Sequence, residues 1–214
     1  MIRAVIFDLD GVIVESEDAH IEAEREIFQK YNVKISAEEL HTYTGTMAKV
    51  MFTELIAKYK LNTTFEKINR QKEEILLKLL DKDAEPTKGV LNLIQELKLE
   101  GIKLAVGSSS TRRMVDYILN KLKLTQVFNR VITAEDIEHS KPNPEIFLKA
   151  AKELKVKPSQ CLVIEDSKLG VEAAKSAGMK CAGYRNPPSG NQDLSKADII
   201  IDDFSHVDIQ KMVA

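Results

Sequence analysis

Two carboxylates one residue apart, Asp8 and Asp10, stand directly behind the apolar run Ala4-Val5-Ile6-Phe7 and ahead of Gly11. Carboxylates act as nucleophiles, metal ligands or proton carriers, and a strand that ends on two of them presents both at a fixed edge. A helix-loop-helix calcium site is the alternative chemistry for alternating aspartates before a glycine. That site needs the glycine sixth, a third ligand between and a helix in front, whereas an apolar strand stands in front here. Three further polar groups follow other apolar runs. Gly107-Ser108-Ser109-Ser110 comes after the second, Ser140-Lys141-Pro142 shortly after the third, and Glu165-Asp166 after the fourth. Each alone reads as an ordinary turn. Ser110 or Thr111 would cap the helix carrying Met114, Val115, Ile118 and Leu119, and hydroxyls and free amides at such a start also suit a phosphate.

The elements that must position these groups are legible from periodicity. Candidate strands are Ala4 to Phe7, Ile102 to Val106, Val131 to Thr133, Cys161 to Ile164, Lys180 to Gly183 and Asp198 to Ile201. Amphipathic segments alternate with them, which predicts an α/β fold with a parallel sheet covered by helices on both faces. In such a sheet ligands gather at the carboxyl ends of the strands, where the four polar groups stand. Val90, Leu93, Ile94 and Leu97 keep helical spacing and stop at Gly101; Val171, Ala174 and Ala177 stop at Gly178. Residues 15–85 break the alternation with helical patterns alone, among them Ile21, Ile27, Phe28, Tyr31, Phe65, Ile68, Ile75 and Leu79. They are read as a helical insertion after the first strand, with 1–14 and 86–214 forming the core and the two crossings acting as hinges.

Composition narrows the class. The 214 residues are 43% hydrophobic and 30% charged, enough to build a sizeable core. A net charge of -2 with scattered lysines offers no field for a phosphate backbone, so nucleic acid is not an expected partner. Cys161 and Cys181 lack partners at metal-ligand spacing and are expected to be reduced core residues. No stretch approaches the ~20 apolar residues of a membrane span, and a cytoplasmic monomer or small homo-oligomer is expected.

Taken in order, Phe7-Asp8-Leu9-Asp10-Gly11-Val12, Ser108, Lys141-Pro142-Asn143-Pro144 and Val163-Ile164-Glu165-Asp166-Ser167, followed by Gly170-Val171-Glu172-Ala173-Ala174, resemble a known pattern. The chain is similar over its whole length to haloacid dehalogenase superfamily phosphohydrolases, of the branch holding β-phosphoglucomutase, phosphoglycolate phosphatase and sugar-phosphate phosphatases. The resemblance implies a Rossmann-like core with a helical cap and a Mg²⁺ cofactor. It implies Asp8 as the nucleophile that becomes an aspartyl phosphate. Asp8, Asp166 and the backbone carbonyl of Asp10 would hold the metal, with Glu165 touching it or supporting its ligands. That leaves the Asp10 side chain to protonate the departing alcohol and then activate water. Ser108, helped by the amide of Ser109, would donate to the phosphoryl oxygens, and Lys141 would offset charge and orient Asp8. Glu15 departs from the family pattern, which has Asp there.

Within the superfamily, halide needs no proton to leave, so Asp10 favours phosphate esters over carbon–halogen bonds. A signalling receiver carries its phosphorylated aspartate after a middle strand and lacks the insertion, and a non-enzymatic binding role would leave the whole acidic set idle. The expected activity is therefore a Mg²⁺-dependent phosphatase acting on a small phosphorylated metabolite, such as a sugar phosphate. The runner-up is β-phosphoglucomutase, interconverting β-glucose 1-phosphate and glucose 6-phosphate. A mutase needs an anion site in the cap, yet Thr44-Gly45-Thr46-Met47-Ala48-Lys49 has no arginine where the mutases carry one. Lys49 is the nearest cation, and His20 matches a cap-side histidine of the mutases. Glu17, His20, Thr44, Gly45, Thr46 and Lys49, with Ser109 of the core, are the expected substrate-facing residues.

Overall fold

The computed structural model describes residues 1–208, 210 and 212. Six strands form one sheet in the order β3-β2-β1-β4-β5-β6: β1 (Ala4–Phe7), β2 (Lys103–Gly107), β3 (Arg130–Ile132), β4 (Cys161–Glu165), β5 (Lys180–Tyr184) and β6 (Ile199–Ile201). All pairings are parallel. β1 lies between β2 and β4, with Phe7 opposite Val106 and Ile164, so the ends of these three strands open side by side. Every β1 side chain is buried because both faces are covered, which is why its sequence is a continuous apolar run. Val5 and Phe7 join one apolar cluster, shared with α5 (Val90–Leu99) and α6 (Arg112–Lys121). Ala4 and Ile6 join the cluster on the opposite face, shared with α7 (Glu145–Leu154) and α8 (Lys168–Ser176).

Strand limits shift by a residue from those read in the sequence. Glu165 pairs with Gly183 and so extends β4, which hydropathy cannot register because a carboxylate occupies the last rung. Gly101 and Gly178 both adopt φ +72, the left-handed ending their helices were expected to need. Cys161 and Cys181 are free and buried, as expected.

Between β1 and α5 the described chain forms α1 (Glu17–Lys30), α2 (Ala37–His41), α3 (Ala48–Lys58) and α4 (Phe65–Asp83), and no strand. α4 packs on both α1 and α3. The two crossings into this helical segment run together. The Glu15 amide donates to the Glu85 carbonyl at 3.0 Å, and the Thr87 amide to the Ile13 carbonyl at 3.0 Å. Among the described residues no helix is long and apolar enough to cross a membrane.

Candidate active site

The ends of β1, β2 and β4 form the floor of a cavity roofed by the helical segment. Asp8 is 6% exposed, held by its amide on the Ile164 carbonyl at 2.9 Å. Lys141, wholly enclosed beneath it, donates to Asp8 Oδ1 at 2.6 Å and to Glu165 Oε1. The other Glu165 oxygen accepts from the Ser167 amide and hydroxyl, both at 2.8 Å. A Cβ on Gly170 would overlap the Glu165 carboxyl, so the glycine is what lets α8 pass that close.

Asp10 turns the other way. Ser16 Oγ donates to its Oδ1 at 2.7 Å, Ser110 Oγ to its Oδ2 at 2.7 Å, and His20 Nε2 stands 3.2 Å from Oδ1. Burial alone would raise its pKa, but His20 and the two hydroxyls hold it well below the usual carboxylate range. Lys72 Nζ lies 2.9 Å from His20 Nδ1. An ammonium can only donate, so Nδ1 accepts and Nε2 carries the hydrogen that faces Asp10.

Asp8 and Asp166 have the opposite electrostatics. Burial, together with Glu165, Asp166 and Asp10, pushes Asp8 well above its ordinary value despite Lys141. Burial and Glu165 push Asp166 up to about 7, although Ser189 Oγ and Asn186 Nδ2 both donate to its Oδ2. One lysine therefore does not neutralise this floor.

A family model described as haloacid dehalogenase-like hydrolase matches residues 5–184, most of the chain. The chain belongs to that family. A phosphorylated-carbohydrate phosphatase of Thermotoga maritima is 32% identical over 183 residues, covering 83% of this chain and 82% of that protein. The fructose-1-phosphate phosphatase YqaB of Escherichia coli is 30% identical over 183 residues, covering 85% and 95%. The crystal structure of β-phosphoglucomutase from Clostridium difficile superimposes with a TM-score of 0.88 at 26% identity, over 99% of this chain and 96% of that one.

In this haloacid dehalogenase-like hydrolase, Asp8, Asp10, Asp166, Glu17, His20, Thr44, Gly45, Thr46 and Ser109 all line the cavity. Ser108 and Lys141 sit in the wall behind them, fully or almost fully buried. Glu165 does not reach the cavity: both its oxygens are taken by Lys141 and Ser167, which makes it a support for Lys141. Lys49, expected to face the substrate, lies elsewhere. It is exposed on α3 outside the cavity, with its charge felt by Glu66. The hydroxyls expected to cap α6 are also otherwise engaged, Ser110 with Asp10 and Thr111 with Glu73 at 2.8 Å.

Gly45, at φ +85, lets the 43–47 turn lie against Ser167. Ser109 Oγ donates to the Gly45 carbonyl at 2.8 Å, and the Met47 amide to Ser140 Oγ at 2.8 Å, so this turn is docked on the strand ends. The cation the sequence reading missed is Lys72, 5% exposed on α4 and facing the cavity. Its signal was present: Lys72 is four residues from both Ile68 and Leu76, on the buried stripe of the helix.

Proposed function

We propose that the chain is a Mg²⁺-dependent phosphatase of a small phosphomonoester, a sugar phosphate or related metabolite, working through an aspartyl phosphate on Asp8. Residues 15–85 act as its cap domain over a core of 1–14 and 86–214. The observation that carries this reading is the division of labour on the cavity floor. One carboxylate is backed by a buried ammonium, and its neighbour two residues on is held apart by hydrogen bonds from Ser16, just ahead of α1, and from Ser110.

The donor set suits Mg²⁺. Among the described residues no three His, Cys, Asp or Glu side chains converge as a metal cage. Mg²⁺ is commonly bound by one or two carboxylates, with waters and substrate phosphate completing its shell. Asp8 and Asp166 both line the cavity, and Asp166 helps to raise the pKa of Asp8, a repulsion that a divalent cation relieves. A Cβ on Gly11 would overlap Asp166, so the glycine keeps that approach open. Asp8, Asp166 and the Asp10 backbone carbonyl would hold the ion, which when bound offsets the charge of the substrate phosphate.

The chain's own groups then divide the reaction. Asp8 attacks phosphorus in line with the ester oxygen, with Lys141 fixing its orientation. Ser108, whose Oγ accepts from the Ser110 amide at 3.0 Å, keeps its hydroxyl hydrogen for a phosphoryl oxygen. Asp10 must take up a proton from solvent and pass it to the departing alkoxide, while Ser16, Ser110 and His20 hold its carboxyl in place. Once ionised again, Asp10 is the base for the water that splits the aspartyl phosphate.

Phosphorus NMR with Mg²⁺, a panel of phosphate esters, β-glucose 1-phosphate and catalytic glucose 1,6-bisphosphate tests the reading. Mg²⁺-dependent release of inorganic phosphate is expected. Conversion of β-glucose 1-phosphate to glucose 6-phosphate with little free phosphate would instead support the mutase, the second reading, which Lys72 beside His20 favours as a cap cation. No turnover of any ester would overturn both.

A linked prediction concerns pH. Asp166's folded pKa lies above its unfolded value, so its contribution to stability is full below about pH 4 and is lost as pH rises through about 7. The buried, raised carboxyls of Asp8 and Glu17 act in the same direction. Asp10 is opposite, contributing above its ordinary range and losing that contribution on acidification. Mg²⁺ offsets the repulsion that grows with pH. Its stabilising increment over EDTA in thermal melts is therefore expected to be on the order of a few kcal/mol at pH 8 and much smaller at pH 5. An equal increment at both would contradict the assignment of Asp166 to the metal.

A further inference from the structure

The proposed reaction leaves unused two buried polar side chains against Asp166: Asn186 and Ser189, 5% and 0% exposed. Both belong to the turn that follows β5. Asn186 Nδ2 donates to Ser189 Oγ at 2.7 Å and to Asp166 Oδ2 at 3.4 Å, and Ser189 Oγ donates to the same Oδ2. A hydroxyl has one hydrogen, so the bond it accepts from Asn186 leaves that hydrogen for Asp166. The turn is built to keep this arrangement. Pro187 and Pro188 fix two backbone angles, the Ser189 amide donates to the Asn186 carbonyl at 3.1 Å, and Gln192 Nε2 donates to the Ser189 carbonyl at 2.8 Å.

Both bonds to the carboxyl fall on one oxygen. Asp166 Oδ1 takes none from a described residue and is the oxygen left for the cavity that Asp166 lines. A Cβ on Gly11 would overlap Oδ2 and the Asn186 amide, so Gly11 packs directly on Oδ2 as well. Oδ2 is therefore fixed against turning toward an ion. That restraint acts differently on two common divalent cations. Mg²⁺ demands a small octahedral shell and is served by one oxygen from a carboxylate, whereas Ca²⁺ takes about six to eight oxygens at longer distances and accommodates both oxygens of one carboxylate.

We infer that Asn186 and Ser189 are positioning residues that hold Asp166 to a single metal oxygen and thereby make the site select Mg²⁺ over Ca²⁺. This rests on the metal site of the phosphatase reading and adds what sets its selectivity.

Metal-free protein titrated with Mg²⁺ or Ca²⁺ tests it, with apparent dissociation constants read from the rise in thermal midpoint. The wild type should bind Mg²⁺ several-fold more tightly than Ca²⁺. Ser189→Ala frees Oδ2, so Mg²⁺ binding should weaken about tenfold or more, the usual effect of losing the partner of a metal ligand. Ca²⁺ binding should change less, so the ratio narrows, and Asn186→Ala should act in the same direction. A purely structural role would lower the metal-free midpoint of the variants and leave the ratio alone. Tighter binding of Ca²⁺ by the wild type overturns the inference, as does a ratio that both variants leave unchanged; the wild-type comparison decides even if neither variant folds. Asp166→Asn assigns the response, and an undiminished rise in that variant places the ions elsewhere and sinks the inference. Turnover of p-nitrophenyl phosphate with Mg²⁺ is read in parallel. Turnover with the wrong selectivity sinks this inference alone, absence of turnover with the selectivity intact sinks the phosphatase reading alone, and absence of both turnover and any metal response sinks the two together.

Discussion

Asp8→Asn is expected to remove Mg²⁺-dependent ester hydrolysis, with a fall on the order of 10⁴-fold or more, while the protein stays folded. An amide neither attacks phosphorus usefully nor supplies an anionic metal oxygen, so both proposed uses of Asp8 end together. The amide is nearly isosteric, and it relieves crowding. Asp10, Glu165 and Asp166 all crowd Asp8 against its one cationic partner, and Lys141 keeps Glu165 after the change. In EDTA the variant should therefore melt no lower than the wild type, and higher as pH rises, because one mutually repelling carboxylate is gone. Turnover of p-nitrophenyl phosphate, with thermal melts in EDTA, checks both halves. Retention of more than a few per cent of activity in a folded variant would exclude the covalent route through Asp8.

The same floor shows what a sequence discloses and what it does not. Asp8, Ser108 and Asp166 were legible because each follows an apolar strand, and a parallel sheet brings the ends of β1, β2 and β4 to one edge. Local periodicity and the geometry of the sheet suffice for that. The buried stripe of α4 marks Lys72 as inward-facing, but not what it meets, because its partner His20 lies 52 positions away on another helix. Asn186 and Ser189 went unnoticed for a similar reason. Their stretch reads as a proline turn, and only the turn after β5 delivers both side chains to Asp166. Lys49 failed in the reverse sense. It was placed by analogy with a motif one residue out of step, and a one-residue offset on a helix rotates a side chain by about a quarter of a turn. The proposed core chemistry is thus written in strand ends, and the rest of the cavity surface in how α1 and α4 pack.

Lys141→Met should combine a large loss of stability with a large loss of rate. The side chain is fully enclosed and lies over the Phe147 ring at 5.2 Å, so methionine can fill most of its volume without replacing its charge. What remains is Asp8 and Glu165 without the cation between them. Breaking a buried ion pair by removing one member costs about 3–5 kcal/mol, because the survivor is left uncompensated. Burial works against the Lys141 ammonium, yet Asp8 and Glu165 outweigh it and raise its pKa above the ordinary value, so the lysine stays charged throughout the accessible range. The deficit therefore has a pH signature. In the variant the abandoned carboxylates can escape their charge by taking up protons, so urea denaturation in EDTA should show the full deficit at pH 8 and a smaller one at pH 5. Activity, measured at a temperature where the variant remains folded, should fall by about 10²–10³, the usual effect of losing one charge-stabilising contact. Arginine should not rescue it, since a planar fork cannot occupy a pocket shaped around a single ammonium. Equal deficits at both pH values would mean that Lys141 holds the site by filling space against Phe147, with its charge contributing nothing to the fold.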